Sequence, residues 1–165
     1  LLLTSCHKQD GINVFQSVDT DGWDTKDTLV FEVPTTDYNA THNLTLLARI
    51  TRQFAYKDLW MVVEQDYETD SLYLAQCDTI YPDDKEYDKK TISTSPCSLL
   101  DTVHIEITND YGIFEGSGKD LLEYEIPVRN VHLKQGTKGT IRIHHIMTDR
   151  KVEGIHDIGC NLSEE

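Results

Sequence analysis

The sequence predicts an all-β protein, an antiparallel β-sandwich of about eight strands with an immunoglobulin-like or jelly-roll-like arrangement. Three observations lead to this fold class. Apolar and polar residues alternate along most of the chain, which is the period of a half-buried strand. Turns rich in Gly, Pro, Asn and Asp separate the alternating segments. No apolar stripe recurs at helical spacing over three turns, so helices are not expected.

Each predicted strand is justified by its own pattern. The first places Leu29, Phe31 and Val33 on one face and stops at Pro34, which cannot donate to a ladder. The segment 59–65 is apolar on both faces, as expected of a central strand. Alternation of the same kind predicts the others: 43–50, 71–76, 102–108, 121–127, 139–147 and 155–162.

Length and charge limit the classes of function. The 165 residues suffice for one domain with a substantial apolar core. Acidic residues outnumber basic ones by 29 to 15, giving a formal charge of −14. A phosphate backbone would repel such a chain, so nucleic acid is not expected as a partner.

We expect residues 1–5 to be residual signal peptide, 6–21 a lipidated flexible tether and 22–165 the sandwich domain.

The segment Leu3-Thr4-Ser5-Cys6 is typical of a bacterial lipobox. An apolar residue and two small ones precede the cysteine, whose thiol is the group that would accept a diacylglycerol. The match follows a run of leucines and is followed by the polar residues 7–11. The sequence therefore predicts lipid attachment at Cys6, and acyl chains contribute ~0.8 kcal/mol per buried methylene to membrane binding.

The remaining cysteines suggest one disulfide. Cys77 and Cys97 flank a polar segment, and a bridge between them would close that loop and stabilise the fold by roughly 3 kcal/mol. Spacing alone does not fix the pairing. Cys160 lies in an alternating segment and is interpreted as a small buried hydrophobic residue. No CxxC motif is present, so neither a zinc site nor a thioredoxin-like pair is indicated.

No set of residues predicts catalysis, a metal or a cofactor. The carboxylates Asp19, Asp21 and Asp24 lack the spacing of an EF-hand loop, so an Asp-Gly turn is favoured. His144 and His145 would point to opposite faces of a strand and cannot chelate one ion together. His145 is interpreted as a core or boundary histidine, and no Gly-x-Ser-x-Gly elbow occurs.

With these features in place, the chain resembles the gliding-motility-associated lipoprotein GldH family over nearly its whole mature length. The C-terminal residues 139–159 carry the most specific likeness, a His-x-Met followed by Gly-Ile-x-Asp-Val-Gly in which Ile158 replaces Val. The segment between Cys77 and Cys97 is interpreted as longer than the hairpin of the family. The residues that match the family motifs are Gly22, Trp23, Gly116, Gly118, His145, Met147, Gly154, Ile155, Asp157 and Gly159.

These motif residues are interpreted as architecture rather than as an active site. Gly154 and Gly159 suit a turn and a bulge or close approach beside the last strand. Asp157 is expected to bond to backbone amides of that turn.

The resemblance implies a non-enzymatic lipoprotein of the bacterial envelope, whose expected partners are proteins of the gliding or the linked secretion machinery. Its implied location is the outer membrane, and the segment after Cys6 lacks a dense acidic run, which favours the periplasmic face. Tyr56 and Trp60 are the predicted contact residues, although Trp60 equally suits a core position. The alternative is a carbohydrate-binding lipoprotein using Tyr67, Tyr73, Tyr81 and Tyr87, and a hydrolase is the third possibility.

Overall fold

A computed structural model describes residues 11–69 and 97–165 of the chain. This part of the chain forms ten β-strands and no helix, which confirms the predicted all-β class. Seven of the strands coincide with predicted segments, and the predicted strand at 71–76 lies outside the described residues. The strands are β1 Gly11–Ser17, β2 Trp23–Asp24, β3 Leu29–Val33, β4 Ala40–Thr51, β5 Asp58–Thr69, β6 Cys97–Glu106, β7 Leu121–Leu133, β8 Thr137–His145, β9 Lys151–Val152 and β10 Ile155–Glu164.

Two four-stranded antiparallel sheets face each other. The first has the order β1-β10-β4-β7 and the second the order β3-β8-β5-β6, while β2 and β9 form a separate two-stranded ribbon. The core between the sheets consists of the inward side chains of every second residue. In β5, for example, Leu59, Met61 and Val63 are at most 1% exposed, as the alternation predicts. The position of β5 inside its sheet confirms the prediction of a central strand.

The strand β1 corrects one expectation from the sequence. Residues 11–17 were expected to belong to a flexible tether, but they pair in register with β10 from Gly11↔Ser163 to Ser17↔Asp157. Phe15 lies against Gly159, where an added Cβ would come within 2.7 Å of the ring. The guanidinium of Arg49 covers the ring at 3.8 Å from its centroid. Part of the expected tether is therefore an edge strand of the sandwich.

The strand directions define two ends of the molecule. Residues before β1 and after β10 attach at one end, here called the proximal end, together with the loop 34–39. The loops 52–57, 107–120 and 146–150 lie at the opposite end, here called the distal end. Because a strand rises about 3.4 Å per residue, roughly 30 Å separates the two ends along β10.

A buried histidine joins the small ribbon to the second sheet near the distal end. His145 is 1% exposed, and its Nε2 lies 2.9 Å from the carbonyl oxygen of Trp23. The amide of Met147 donates to its Nδ1 at 3.3 Å, so Nε2 carries the proton in the neutral ring. The rings of Trp23 and His145 meet edge-on at 5.2 Å. His145 is thus a satisfied core histidine, as its face in the strand predicts.

Replacing Gly159 by Ala should destabilise the protein by about 1–3 kcal/mol, because the methyl group would displace the Phe15 ring from β10. Urea unfolding of the single variants and of the double variant with Phe15→Ala measures the effect. In the Phe15→Ala background, which lacks the ring, Gly159→Ala should lower the free energy of unfolding much less. Equal costs in the two backgrounds would contradict the packing described for Phe15.

The stability of the protein should fall as the pH drops through about 6.5, because burial lowers the pKa of His145 below its ordinary value of 6.5. Between the two pKa values the unfolded chain binds a proton that the folded chain does not, so the free energy of unfolding rises with pH. This contribution is complete above about 6.5 and is lost as the pH approaches the folded-state pKa.

Urea unfolding between about pH 7.5 and pH 5.5 checks this slope. His145→Gln should flatten it, whereas His132→Gln, at an exposed position, should leave it unchanged. Titration of the imidazole resonances in the unaltered protein provides a measurement that does not depend on the variants folding. A folded-state pKa of His145 at or above 6.5 would contradict the expectation.

Candidate functional site

Four large apolar side chains are exposed at or beside the distal end. Trp60 is 42% exposed, Tyr111 89%, Ile113 61% and Ile146 47%. Trp60 lies on the outer face of β5 because its neighbours Leu59 and Met61 point inward. Its position is therefore not the core position that the sequence also allowed.

The indole of Trp60 is held in place by neighbouring side chains. It stacks on His104 of β6 with ring centroids 4.2 Å apart and planes inclined by 20°. His104 in turn places its Nε2 at 2.8 Å from Oδ1 of Asp58. The amide of Trp60 donates to the sulfur of Met147 at 3.4 Å, and its carbonyl accepts from the amide of Ile146 at 2.9 Å. The exposed ring is thus ordered before any partner arrives.

Tyr56 borders the same surface and is half-buried. Its hydroxyl donates to Oδ2 of Asp149, and its ring meets Phe54 edge-on at 5.5 Å. The hydrogen bond to the Asp149 carboxylate raises the pKa of Tyr56, so the hydroxyl remains protonated at neutral pH. Tyr56, Trp60, Ile146 and Met147 line a shallow hollow of about 310 Å³. The structure therefore brings together the two residues predicted as contacts.

A tight turn at 109–113 displays two further apolar side chains. Oδ1 of Asn109 accepts hydrogen bonds from the amides of Tyr111 and Ile113 at 3.0 and 3.1 Å. The amide of Gly112 donates to the carbonyl of Asn109 at 2.9 Å, and the glycine adopts a φ of 73°. Lys57 Nζ fixes the turn from outside at 2.6 Å from Oδ1 of Asp110. Sequence reasoning missed this turn, although Asn followed by Gly three positions later is a turn signal.

Most of the residues that match the family motifs lie near the distal end, in architectural positions. Trp23 is buried and donates its Nε1 proton to the carbonyl of Asp27 at 2.8 Å. Gly154 adopts a positive φ of 85°, and an added Cβ would also meet the amide nitrogen of Phe54 at 2.4 Å, so this position requires glycine. Ile155 is buried at the start of β10. The glycines Gly22, Gly116 and Gly118 lie before β2 and in the loop between β6 and β7.

The expectation for Asp157 needs correction. Its Oδ2 lies 2.8 Å from Nδ1 of His156 and 3.9 Å from Arg49 Nη1, rather than at backbone amides. Its Oδ1 is buried and has no hydrogen-bond partner among the described residues. The carboxylate lies on β10 itself, opposite Arg49 in the register, and its contacts are with neighbouring side chains.

The Tyr67 of the carbohydrate alternative is buried at 1% exposure, and its hydroxyl donates to Oε1 of Gln65 at 2.9 Å. It cannot stack on a sugar in this position. Tyr73, Tyr81 and Tyr87 lie outside the described residues. The same holds for Cys6, for Cys77 and for the side chain of Cys97, so the lipid and disulfide predictions stay predictions.

Cys160 is a buried free thiol, as its place in an alternating segment predicts. Burial raises its pKa to about 12, so the sulfur remains protonated.

The carboxylates at 19–24 form a turn in which the amide of Gly22 donates to the carbonyl of Asp19 at 3.0 Å. Asp24 forms an ion pair with Arg150 at 3.0 Å.

Within residues 11–69 and 97–165, no group of three His, Cys, Asp or Glu side chains is placed to hold a metal ion. The same residues include no helix that is long and apolar enough to cross a membrane.

Comparison with solved structures gives one distant likeness, to a CocE/NonD family hydrolase from Staphylococcus aureus at 10% identity and a TM-score of 0.34. The match covers 96% of this chain but only 32% of the hydrolase, and a likeness at this level carries no argument about function. No curated protein matches the chain.

The family comparison is far more extensive. The model described as "GldH lipoprotein" matches residues 11–81 and 85–162, so the match is interrupted only inside the segment between Cys77 and Cys97. It includes β1 to β9, β10 as far as residue 162, and the whole distal end. This is a family of lipoproteins and not of enzymes. The chain therefore belongs to the GldH lipoprotein family.

Proposed function

We propose that this protein is a lipid-anchored, non-enzymatic scaffold or adaptor of the bacterial cell envelope. The lipid is attached at Cys6 and holds the protein at the outer membrane, on the periplasmic face. Its partners are proteins of the gliding or the linked secretion machinery. The proposal is supported by membership of a lipoprotein family and by the lipobox pattern that ends at Cys6.

The observation that carries the adaptor role is the polarity of the molecule. The chain enters the sandwich at the proximal end through β1, whereas Trp60, Tyr111, Ile113 and Ile146 are exposed at or beside the distal end. An anchor at Cys6 would leave this apolar end directed away from the membrane that holds it. Aromatic side chains that are ordered before binding lose little conformational entropy in a complex, and such residues dominate protein interfaces.

The adaptor role is favoured over carbohydrate binding because Tyr67, one of the four tyrosines of that alternative, is buried in the core. The indole of Trp60 is exposed and could stack on a sugar, but one of its faces is covered by His104. The distal end also combines apolar groups from separate loops, which suits a protein surface better than a single sugar ring.

Replacing Cys6 by Ser should abolish incorporation of radioactive palmitate in the native host and release the protein from membranes. Loss of the thiol removes the group at the end of the lipobox that would form the thioether. Cys160→Ser, which alters a buried thiol, is the matched control and should be labelled as strongly as the unaltered protein. Labelling of the Cys6→Ser form at the level of the unaltered protein would refute the anchor.

Trp60→Ala and Tyr111→Ala should each weaken binding of an envelope partner by about tenfold or more, the usual effect of truncating a central aromatic residue. Photo-crosslinking from position 111 in the native envelope, followed by mass spectrometry, identifies the partner. Position 38, an exposed tyrosine at the proximal end, is the matched control. Equal crosslinking from positions 38 and 111 would show that the distal end is not the contact surface.

A further inference from the structure

Four strands form the edges of the two sheets, and three of them are blunted. β1 and β3 have seven and five residues, and the side-chain amide of Gln16 closes the gap between them by donating to the carbonyl of Val30. On β7, Glu123 exchanges two backbone hydrogen bonds with Ser117 of the preceding loop at 3.0 and 2.8 Å, and Pro127 lacks a donor. These are the usual devices that prevent edge-to-edge pairing.

The edge strand β6 has none of these devices among the described residues. It is ten residues long, contains no proline and pairs with β5 without a register shift. The amide of Ile107 donates to the carbonyl of Lys57 at 2.8 Å, and that of Ile146 donates to Trp60 at 2.9 Å. Backbone hydrogen bonds of an antiparallel strand alternate between its two neighbours from one residue to the next. Because Lys57 bonds on the β6 side and Trp60 on the β8 side, the backbone groups of odd-numbered residues of β5 bond to β6 and those of even-numbered residues bond to β8.

It follows which backbone groups of β6 point away from the sheet. The N–H and C=O groups of its even-numbered residues face the free edge, and none has a hydrogen-bond partner in the described part of the chain. These residues are Ser98, Leu100, Thr102, His104 and Glu106. A row of unpaired donors and acceptors on an edge strand is a template for another strand.

The space beside this edge is acidic. The ion pair of Asp101 with Arg129, at 2.6 Å, joins β6 to β7, and toward the distal end a cleft of about 600 Å³ opens between the two strands. Its lining includes Ile105, Ile126, Glu115 and Glu125, and neither of these two glutamates has an ion-pair partner among the described residues. Glu106 and Glu123 add two further carboxylates, each already in contact with a cation.

We propose that β6 binds an extended segment of a partner protein by strand addition, and that this segment carries Lys or Arg at alternate positions. The inference rests on the proposed adaptor function and names the chemistry of one partner. Side chains alternate across a strand, so every second residue of the added segment faces the cleft and meets Glu115 and Glu125. The other residues lie over Leu100 and Thr102 on the outer face. A second copy of the chain is disfavoured as the occupant, since each copy carries a formal charge of −14 and would bring an acidic cleft against another.

A purified full-length chain and a synthetic peptide in which Lys alternates with Thr test the proposal. Hydrogen exchange followed by NMR should show that the amides of Leu100, Thr102 and His104 exchange rapidly in the free protein and slowly with the peptide. The amides of Val103 and Ile105, already bonded to β5, should be protected in both states. A peptide of the same composition with its lysines grouped at one end controls for general attraction to an acidic protein. Equal protection by both peptides would overturn the proposal.

Thr102→Pro removes one outward N–H and should weaken binding of the alternating peptide at least tenfold, as measured by calorimetry. Thr102→Ala is the matched control, because it shortens the same side chain but keeps the N–H, and it should bind like the unaltered protein. Circular dichroism and urea unfolding establish that the proline variant is folded. Equal affinity of the two variants would refute strand addition.

The double variant Glu115→Lys, Glu125→Lys keeps the edge intact and should also reduce binding of the alternating peptide at least tenfold. Unchanged affinity would refute the acidic cleft as the selector of basic segments. A dimer of the free chain that Thr102→Pro dissociates would instead assign the edge to a second copy and overturn the proposal. Because these measurements need neither lipid nor envelope, their failure is distinguishable from failure of the anchor or of the distal contact surface.

Discussion

The fold depends on one constraint, the burial of every second side chain between two sheets. Burial of a Val, Leu, Ile or Met contributes about 1.5–3 kcal/mol, so moving a strand by one residue would expose its whole inner row. In β5 this row is Leu59, Met61, Val63, Gln65 and Tyr67, all of them apolar except Gln65. The same constraint forces Trp60 onto the outer face, where it forms part of the candidate contact surface. Position in the strand, and not affinity for water, decides where the indole lies.

A chain of polar groups closes one side of this apolar core. The hydroxyl of Tyr67 donates to Gln65, Nε2 of Gln65 lies 3.1 Å from Oδ2 of Asp101, and Asp101 pairs with Arg129 of the opposite sheet. Burial raises the pKa of Tyr67 well above its ordinary value of 10.0, so its hydroxyl remains a donor. Burying a polar group without a hydrogen-bond partner costs free energy, and in this network each polar group has the next one as its partner. It also limits the cleft beside β6, which opens only beyond the ion pair.

The strand β1 links the membrane side of the proposed arrangement to the sandwich. It runs from the proximal toward the distal end and is paired along seven residues with β10. A force between an anchor before Gly11 and a partner at the distal end would act along the strands, and would load these hydrogen bonds together. Phe15 packs between Gly159 and Arg49, which adds an apolar contact and a cation–π contact to the pairing of β1 with β10. In the proposed arrangement, β1 would carry the force between the anchor and the partner.

The sequence by itself determined the fold class, the inward faces of the strands, the central place of β5 and the core position of His145, because alternation with period two is a local property. It also carried the motifs that resemble the GldH family. It did not reveal that residues 11–17 form a strand, because that strand depends on pairing with β10. Phe15 lies opposite Gly159, which is 144 positions away in the sequence and leaves room for the ring. Nor could it show that Asp157 pairs with His156 and Arg49 rather than with backbone amides.

Only the tertiary structure decided which exposed residues meet and which sheet edge has no partner among the described residues. Trp60, Tyr111 and Ile146 come from three distant segments, and the antiparallel directions of their strands bring them to one end. Within residues 11–69 and 97–165, β6 lies at the edge of its sheet because of the order of the strands, which no local pattern encodes. Local periodicity fixes what each strand buries, whereas long-range pairing fixes its neighbours, and the surface available to a partner is set by those neighbours.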